Sequence, residues 1–169
     1  MLKTYWTIQT INKWLEVQQL GYLTGNIDYI WEYFVEPYEW MMEQMTNRLP
    51  NYKGEYPVWL WTERPDLRKS GHLEKGEQGV LLKVALDEGD VLLSEFQAWH
   101  FVLSHLYFNL DVEDDRMITV DEIQKSWAAI FDLEKLRNHD DWGPHLDLQG
   151  VTGKVLLEQI KLEKTFIAR

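Results

Sequence analysis

Trp59 and Trp61 flank Leu60 in an apolar run that stops abruptly at Thr62-Glu63-Arg64-Pro65. Alternate residues of a strand point to the same face, so this spacing sets two indole rings side by side. Arg64, Arg68, Lys69, His72 and Lys75 follow, diluted only by Asp66 and Glu74. An indole face stacks a base, a nicotinamide or a sugar. An arginine fork pairs bidentately with phosphate or carboxylate. Together the segments suit a nucleotide, with Trp59 and Trp61 on the ring, Arg64 and Arg68 on the phosphates and His72 beside them. The competing reading makes both rings core and pairs the arginines with surface acids, which the chain has in excess.

Other constellations carry weaker chemistry. Tyr5, Thr7 and Gln9 share one face of the first strand, either lining a cleft or forming the wet side of an edge strand. Gln9 is the candidate there for a ribose or amide. Asp111, Glu113, Asp115, Ile118 and Glu122 fall at positions 1, 3, 5, 8 and 12 of a calcium loop. Position 6 is Arg116, where the sharp turn wants glycine, and Thr119 with Glu122 also reads as a helix capping box. His100 and His105 are five apart on a helix and do not share a face. His139, Asp140, Asp141 and His145 converge on a metal only if their loop folds back, so no metal site is assigned. Asp28, Glu32, Glu36, Glu39 and Glu43 form one acidic stripe, a solvated face or a dock for a basic partner.

The elements that must position these groups follow from periodicity and caps. Strands are expected at 4–9, 56–62, 79–86, 91–93, 149–157 and 160–167. The 79–86 strand is mostly apolar and therefore central. Thr10 caps a helix over 11–20 that stops at Gly21. Residues 28–48 keep a helical period across Pro37, which predicts a kinked helix or a near-collinear pair. Ser94 caps a helix to Phe108, and Thr119 caps another to about Leu133. Residues 63–78 are a long loop. The pattern predicts an α+β single domain over 1–169, a mixed or antiparallel sheet with three to four helices packed on it. Rossmann and P-loop folds are excluded, because no glycine-rich phosphate loop follows a strand.

Composition narrows the partners. Hydrophobic residues make up 45% and charged residues 27%, a globular balance. The net charge of -11 repels a phosphate backbone, so no nucleic acid is expected. No apolar stretch approaches the ~20 residues that span a bilayer, and no membrane partner is expected. The absence of cysteine removes disulfides and thiolate chemistry. With no secretory leader visible, a cytoplasmic protein is expected.

One longer series of residues stands out: Trp6-Thr-Ile-Gln-Thr10, Trp14, Gly21, Tyr38-x-Trp40-Met41, Gln44-Met45 and Tyr56-Pro57-x-Trp59-x-Trp61. It continues through Arg64-Pro-Asp-Leu-Arg-x-Ser-Gly-His-Leu73, Val91-Leu-Leu-Ser94, Trp99-His100 and Phe166-x-Ala-Arg169. This series resembles a bacterial family catalogued as domain of unknown function 3841, a name that implies no activity. The order of elements is also similar to that of ADP-ribosyltransferase-like domains. That likeness implies an NAD-holding side chain on the first strand, at Gln9 here, and a late catalytic glutamate, near Gln149 here. Both positions depart from the pattern expected, Arg or His at the first and Gln-x-Glu at the second. The leading expectation is thus binding of an NAD- or ADP-ribose-like nucleotide, whether or not as a degenerate transferase. The alternative is a non-enzymatic acidic inhibitor or regulator docking a basic protein.

Overall fold

Residue alternation in β1 (Leu2–Thr10) organises the fold. Tyr5 and Thr7 are buried on one face, while Trp6 and Ile8 on the other are half-buried. The computed structural model describes residues 1–110 and 117–169. β1 runs antiparallel to β3 (Val58–Trp61) and to β4 (Gln78–Asp87), and β4 runs antiparallel to β8 (Ile160–Ile167). With β5 (Leu92–Glu95) and β6 (Leu148–Thr152), these strands form one six-stranded sheet in the order β5-β6-β3-β1-β4-β8. β2 (Tyr22–Leu23) and β7 (Val155–Leu156) pair in a small second sheet. The fold is α+β, as expected.

Five α-helices accompany the sheets among the described residues. The Thr10 hydroxyl accepts the Lys13 N–H at 3.1 Å to cap α1 (Ile11–Leu20). Gly21 ends that helix in the left-handed region, at φ 84°, which a side chain rarely adopts. α1 packs on β1 and β4 and buries Trp14 and Val17.

The chain divides into two compact units. The first comprises Met1–Ile27, Gln44–Leu92 and Gly150–Arg169; the second comprises Asp28–Glu43 and Leu93–Gln149. The first unit buries Val58 and Leu60 of β3 and Val80, Leu82 and Val84 of β4. The second buries Trp40, Met41, Trp99, Val102, Trp127 and Ile130. There the Trp40 and Trp127 rings meet edge to face at 5.5 Å, and the indole N–H of Trp127 donates to the Leu106 carbonyl at 2.8 Å. An aromatic pair with its polar atom satisfied is a dense, specific core.

Several expectations are corrected. Residues 28–48 are two 3-10 turns (Ile27–Tyr29 and Glu32–Phe34) followed by α2 (Val35–Arg48). Pro37 lies in the first turn of α2, where its missing N–H has no helical partner to lose. Ser94 belongs to β5, and Glu95 caps α3 (Phe96–Leu103) through the Ala98 N–H. The helix expected over 119–133 breaks into α4 (Val120–Ser126), a 3-10 turn and α5 (Leu133–Arg137). Thr119 does cap α4, accepting the Glu122 N–H.

Candidate functional site

The candidate site belongs to the first unit and grows from one rung of the sheet. Trp61 of β3 is directly opposite Trp6 of β1, Trp6 is opposite Lys83 of β4, and Lys83 is opposite Lys161 of β8. Directly opposed residues project from the same face. The rung therefore presents two indoles and two ammonium groups on one side. Trp6, Trp61 and Lys83 are half-buried and Lys161 is exposed. Val58 and Leu60 are turned to the core, which leaves Trp59 and Trp61 on the opposite side of β3.

Two cations sit at the Trp6 ring. The Lys83 ammonium lies 5.7 Å from its centroid and the Arg64 guanidinium 5.8 Å. Both distances fall within cation–π reach. Arg64 is exposed as a residue, with its guanidinium carbon at the indole.

The loop after β3 is built around Asp66. Its carboxylate accepts the Arg68 backbone N–H, Nε–H and Nη2–H, each at 3.0 Å. Those Arg68 side-chain and backbone hydrogen bonds hold the Asp66 carboxyl well below the usual carboxylate range. The Asp66 carbonyl also bonds the His72 ring Nε2 at 2.9 Å. Gly71 and Gly76 take left-handed turns, and Gly76 and Glu77 exchange backbone hydrogen bonds with Ala168. The loop is thus tied at both ends.

That loop also covers one end of the Trp6 face. A Cβ built on Gly79 would come within 2.6 Å of Leu73 Cδ1 and 2.8 Å of the Phe166 ring. Phe166 is the cross-strand partner of Gly79, and the two fill each other's space. Leu81, two residues on, is fully buried. Lys83 and Trp6 lie further along β4 and β1 from Gly79 and are half-buried.

The six candidates divide as follows. Trp59, Trp61 and Arg64 belong to the aromatic–cationic face. Arg68 and His72 order the loop, and the Arg68 fork is closed on Asp66. Gln9 lies on the other face of β1 with Tyr5 and Thr7, and its Nε2 donates to the Thr7 hydroxyl at 2.9 Å. β1 is an internal strand, and its hydroxyl-bearing side faces the core; it is neither a cleft nor the wet side of an edge. Trp6 and Lys83 are the members that pattern reading missed. Lys83 left a signal, as the one charge within the apolar run 79–86.

The other constellations resolve differently. Asp111, Glu113 and Asp115 of the calcium reading lie outside the described residues. Both His139 ring nitrogens engage backbone, at Leu110 and Asp141. Among the described residues, no group of three His, Asp or Glu side chains could hold a metal ion. His100 is exposed, and its Nδ1 bonds the Phe96 carbonyl at 2.8 Å. A 310 Å³ cavity in the first unit is lined by Asn51, Tyr52, Asp90, Thr152 and Lys154, among others. Asn51 and Thr152 both donate to Asp90 there, so much of its polar lining serves the protein itself.

The model of the family described as Domain of unknown function (DUF3841) matches residues 4–119. The chain belongs to this family. The DUF3841 match includes β1, β3, β4 and the Asp66 loop, and with them Trp6, Trp59, Trp61, Arg64 and Lys83. No curated protein and no solved structure matches the chain. No helix of the described residues is long and apolar enough to cross a membrane.

Proposed function

We propose that this DUF3841 protein binds a nucleotide of the NAD or ADP-ribose type on the Trp6 face of the sheet, with Trp6 and Trp61 under the base and Arg64 and Lys83 on the phosphates. The observation that carries the reading is the Trp61–Trp6–Lys83 rung with Arg64 leaning on Trp6. Stacking on an aromatic contributes ~1–3 kcal/mol per base and tolerates any base. A guanidinium and an ammonium then supply charge-assisted bonds to phosphate oxygens.

The role is binding, not transfer. Gln9 and Gln149 stand where the transferase likeness wants an NAD-holding and a catalytic side chain. Gln9 is engaged with Thr7, and buried Gln149 donates to the Ser94 hydroxyl at 3.2 Å. A thermal-shift titration with ADP-ribose, NAD and AMP tests the reading. Ligand at 100 times its dissociation constant adds about 2.7 kcal/mol of stability. The proposal expects a saturable shift that Arg64→Ala with Lys83→Ala abolishes; no shift with any of the three removes it.

A further inference from the structure

The second unit carries an aromatic patch that its own core does not use. Tyr29 is 85% exposed, Trp31 66% and Tyr33 48%. The Trp31 ring packs on Tyr33 at 5.3 Å and edge-on to Phe34 at 5.2 Å. An exposed tryptophan gives folding little hydrophobic gain, so a grouped set of such rings marks a contact surface.

The patch is also held in place. The Tyr33 hydroxyl donates to the Ser104 carbonyl, and the Tyr33 carbonyl bonds the His105 ring Nε2 at 2.8 Å. The His105 ring stands 4.5 Å from the Tyr33 ring. The turn that ends α3 therefore fixes the Tyr33 backbone and ring together. Rigid aromatic groups bind with less entropy lost than mobile ones.

Charge selects the occupant. Residues 28–43 contain five carboxylates and no lysine or arginine. Glu32 and Glu36 are exposed, one beside Trp31 in sequence and the other one helical turn on. An electron-rich ring face flanked by carboxylates attracts guanidinium and ammonium groups and repels anions.

We infer that the Trp31–Tyr33 patch with Glu32 and Glu36 is a docking surface for a Lys/Arg-rich segment of a partner protein, its cations set on the indole and paired with the carboxylates. This surface is separate in residues and in charge preference from the nucleotide face, and either can fail without the other.

The test is fluorescence anisotropy of the full chain with a labelled Arg/Lys-rich peptide, at low and high salt, with no nucleotide present. Binding is expected to weaken steeply with salt. Trp31→Ala is expected to weaken it about 5- to 30-fold, the range of a partly desolvated cation–π contact. Glu32→Gln with Glu36→Gln is expected to weaken it and flatten the salt dependence. Glu134→Gln with Asp140→Asn removes the same charge from exposed residues outside the 28–43 segment and is expected to leave affinity within about twofold, since surface charges that do not touch the bound segment are screened. An unchanged affinity in Trp31→Ala overturns the assignment. So does an equal loss in the Glu134/Asp140 pair, which would trace the attraction to overall charge.

Discussion

Trp6 and Trp61 stand directly opposite each other across antiparallel β1 and β3, on the face turned away from Tyr5, Thr7 and Leu60. Arg64 follows three residues later and returns to the Trp6 ring. A short β-strand and the first residues of a loop thus bring an aromatic floor and a cation to one place. Arg64→Ala is expected to weaken ADP-ribose binding by about 1.5–3 kcal/mol, the scale of a hydrogen bond to a charged group. Calorimetric titration of the variant measures this directly. Its fold should be unaffected, because the side chain is exposed.

Arg68 is expected to behave differently, although it is four residues away. Its fork is closed on Asp66, so Arg68→Ala should leave nucleotide affinity within about twofold. The change should appear at Asp66 instead. Its depressed carboxyl contributes loop stability above the ordinary aspartate value of 3.8, and that contribution is lost as pH falls through the lower folded value. Carboxyl-carbon NMR should place the Asp66 midpoint below 3.8 in the parent and return it towards 3.8 in Arg68→Ala. Equal midpoints in the two proteins would count against this division of roles.

Gly79 marks where loop, β4 and β8 meet. Gly79→Ala would drive a methyl against Leu73 and Phe166. Overpacking of this kind costs about 1–3 kcal/mol. Urea denaturation should show the lower midpoint, and Gly79→Ala combined with Phe166→Leu should recover part of it. A fully stable single variant would mean the cover over this face is loose.

Local chemistry made some elements legible. Thr10 and Gly21 delimit α1 because both caps act within a few residues, and the strand expected at 160–167 coincides with β8. Alternation in β1 separated Tyr5, Thr7 and Gln9 from Trp6 and Ile8. It did not say which set faces inward, because that depends on what packs on each face. Here the hydroxyl-bearing set faces the core and the tryptophan stays half-open. Alternation alone therefore points to Gln9 and not to Trp6 as the candidate side chain of β1. The pairing of Trp6 with both Trp61 and Lys83 joins strands distant in sequence, which no local pattern encodes. β2 is two residues long, too short for any period to register.

Glu95 couples the second unit to pH. It is 3% exposed, and burial pushes its carboxyl above the ordinary glutamate value of 4.5, while N–H donation from Ala98 and Asp147 pulls the other way. The folded state holds this proton more tightly than the unfolded state. Stability from this group accordingly falls as pH rises from below 4.5 through the raised folded value. Glu95→Gln removes the titration, so its stability curve should be flatter than the parent's across that window. Parallel curves for the two proteins would place the pH dependence elsewhere.

The most direct test of the nucleotide face is to follow the indole N–H signals by NMR during titration with ADP-ribose. The chain has nine tryptophans, and single Trp→Phe variants assign them. The nucleotide reading predicts saturable shifts of Trp6 and Trp61 with one common dissociation constant, while buried Trp40 and Trp127 stay fixed. A titration that leaves Trp6 and Trp61 unmoved, or moves only Trp31, would contradict it.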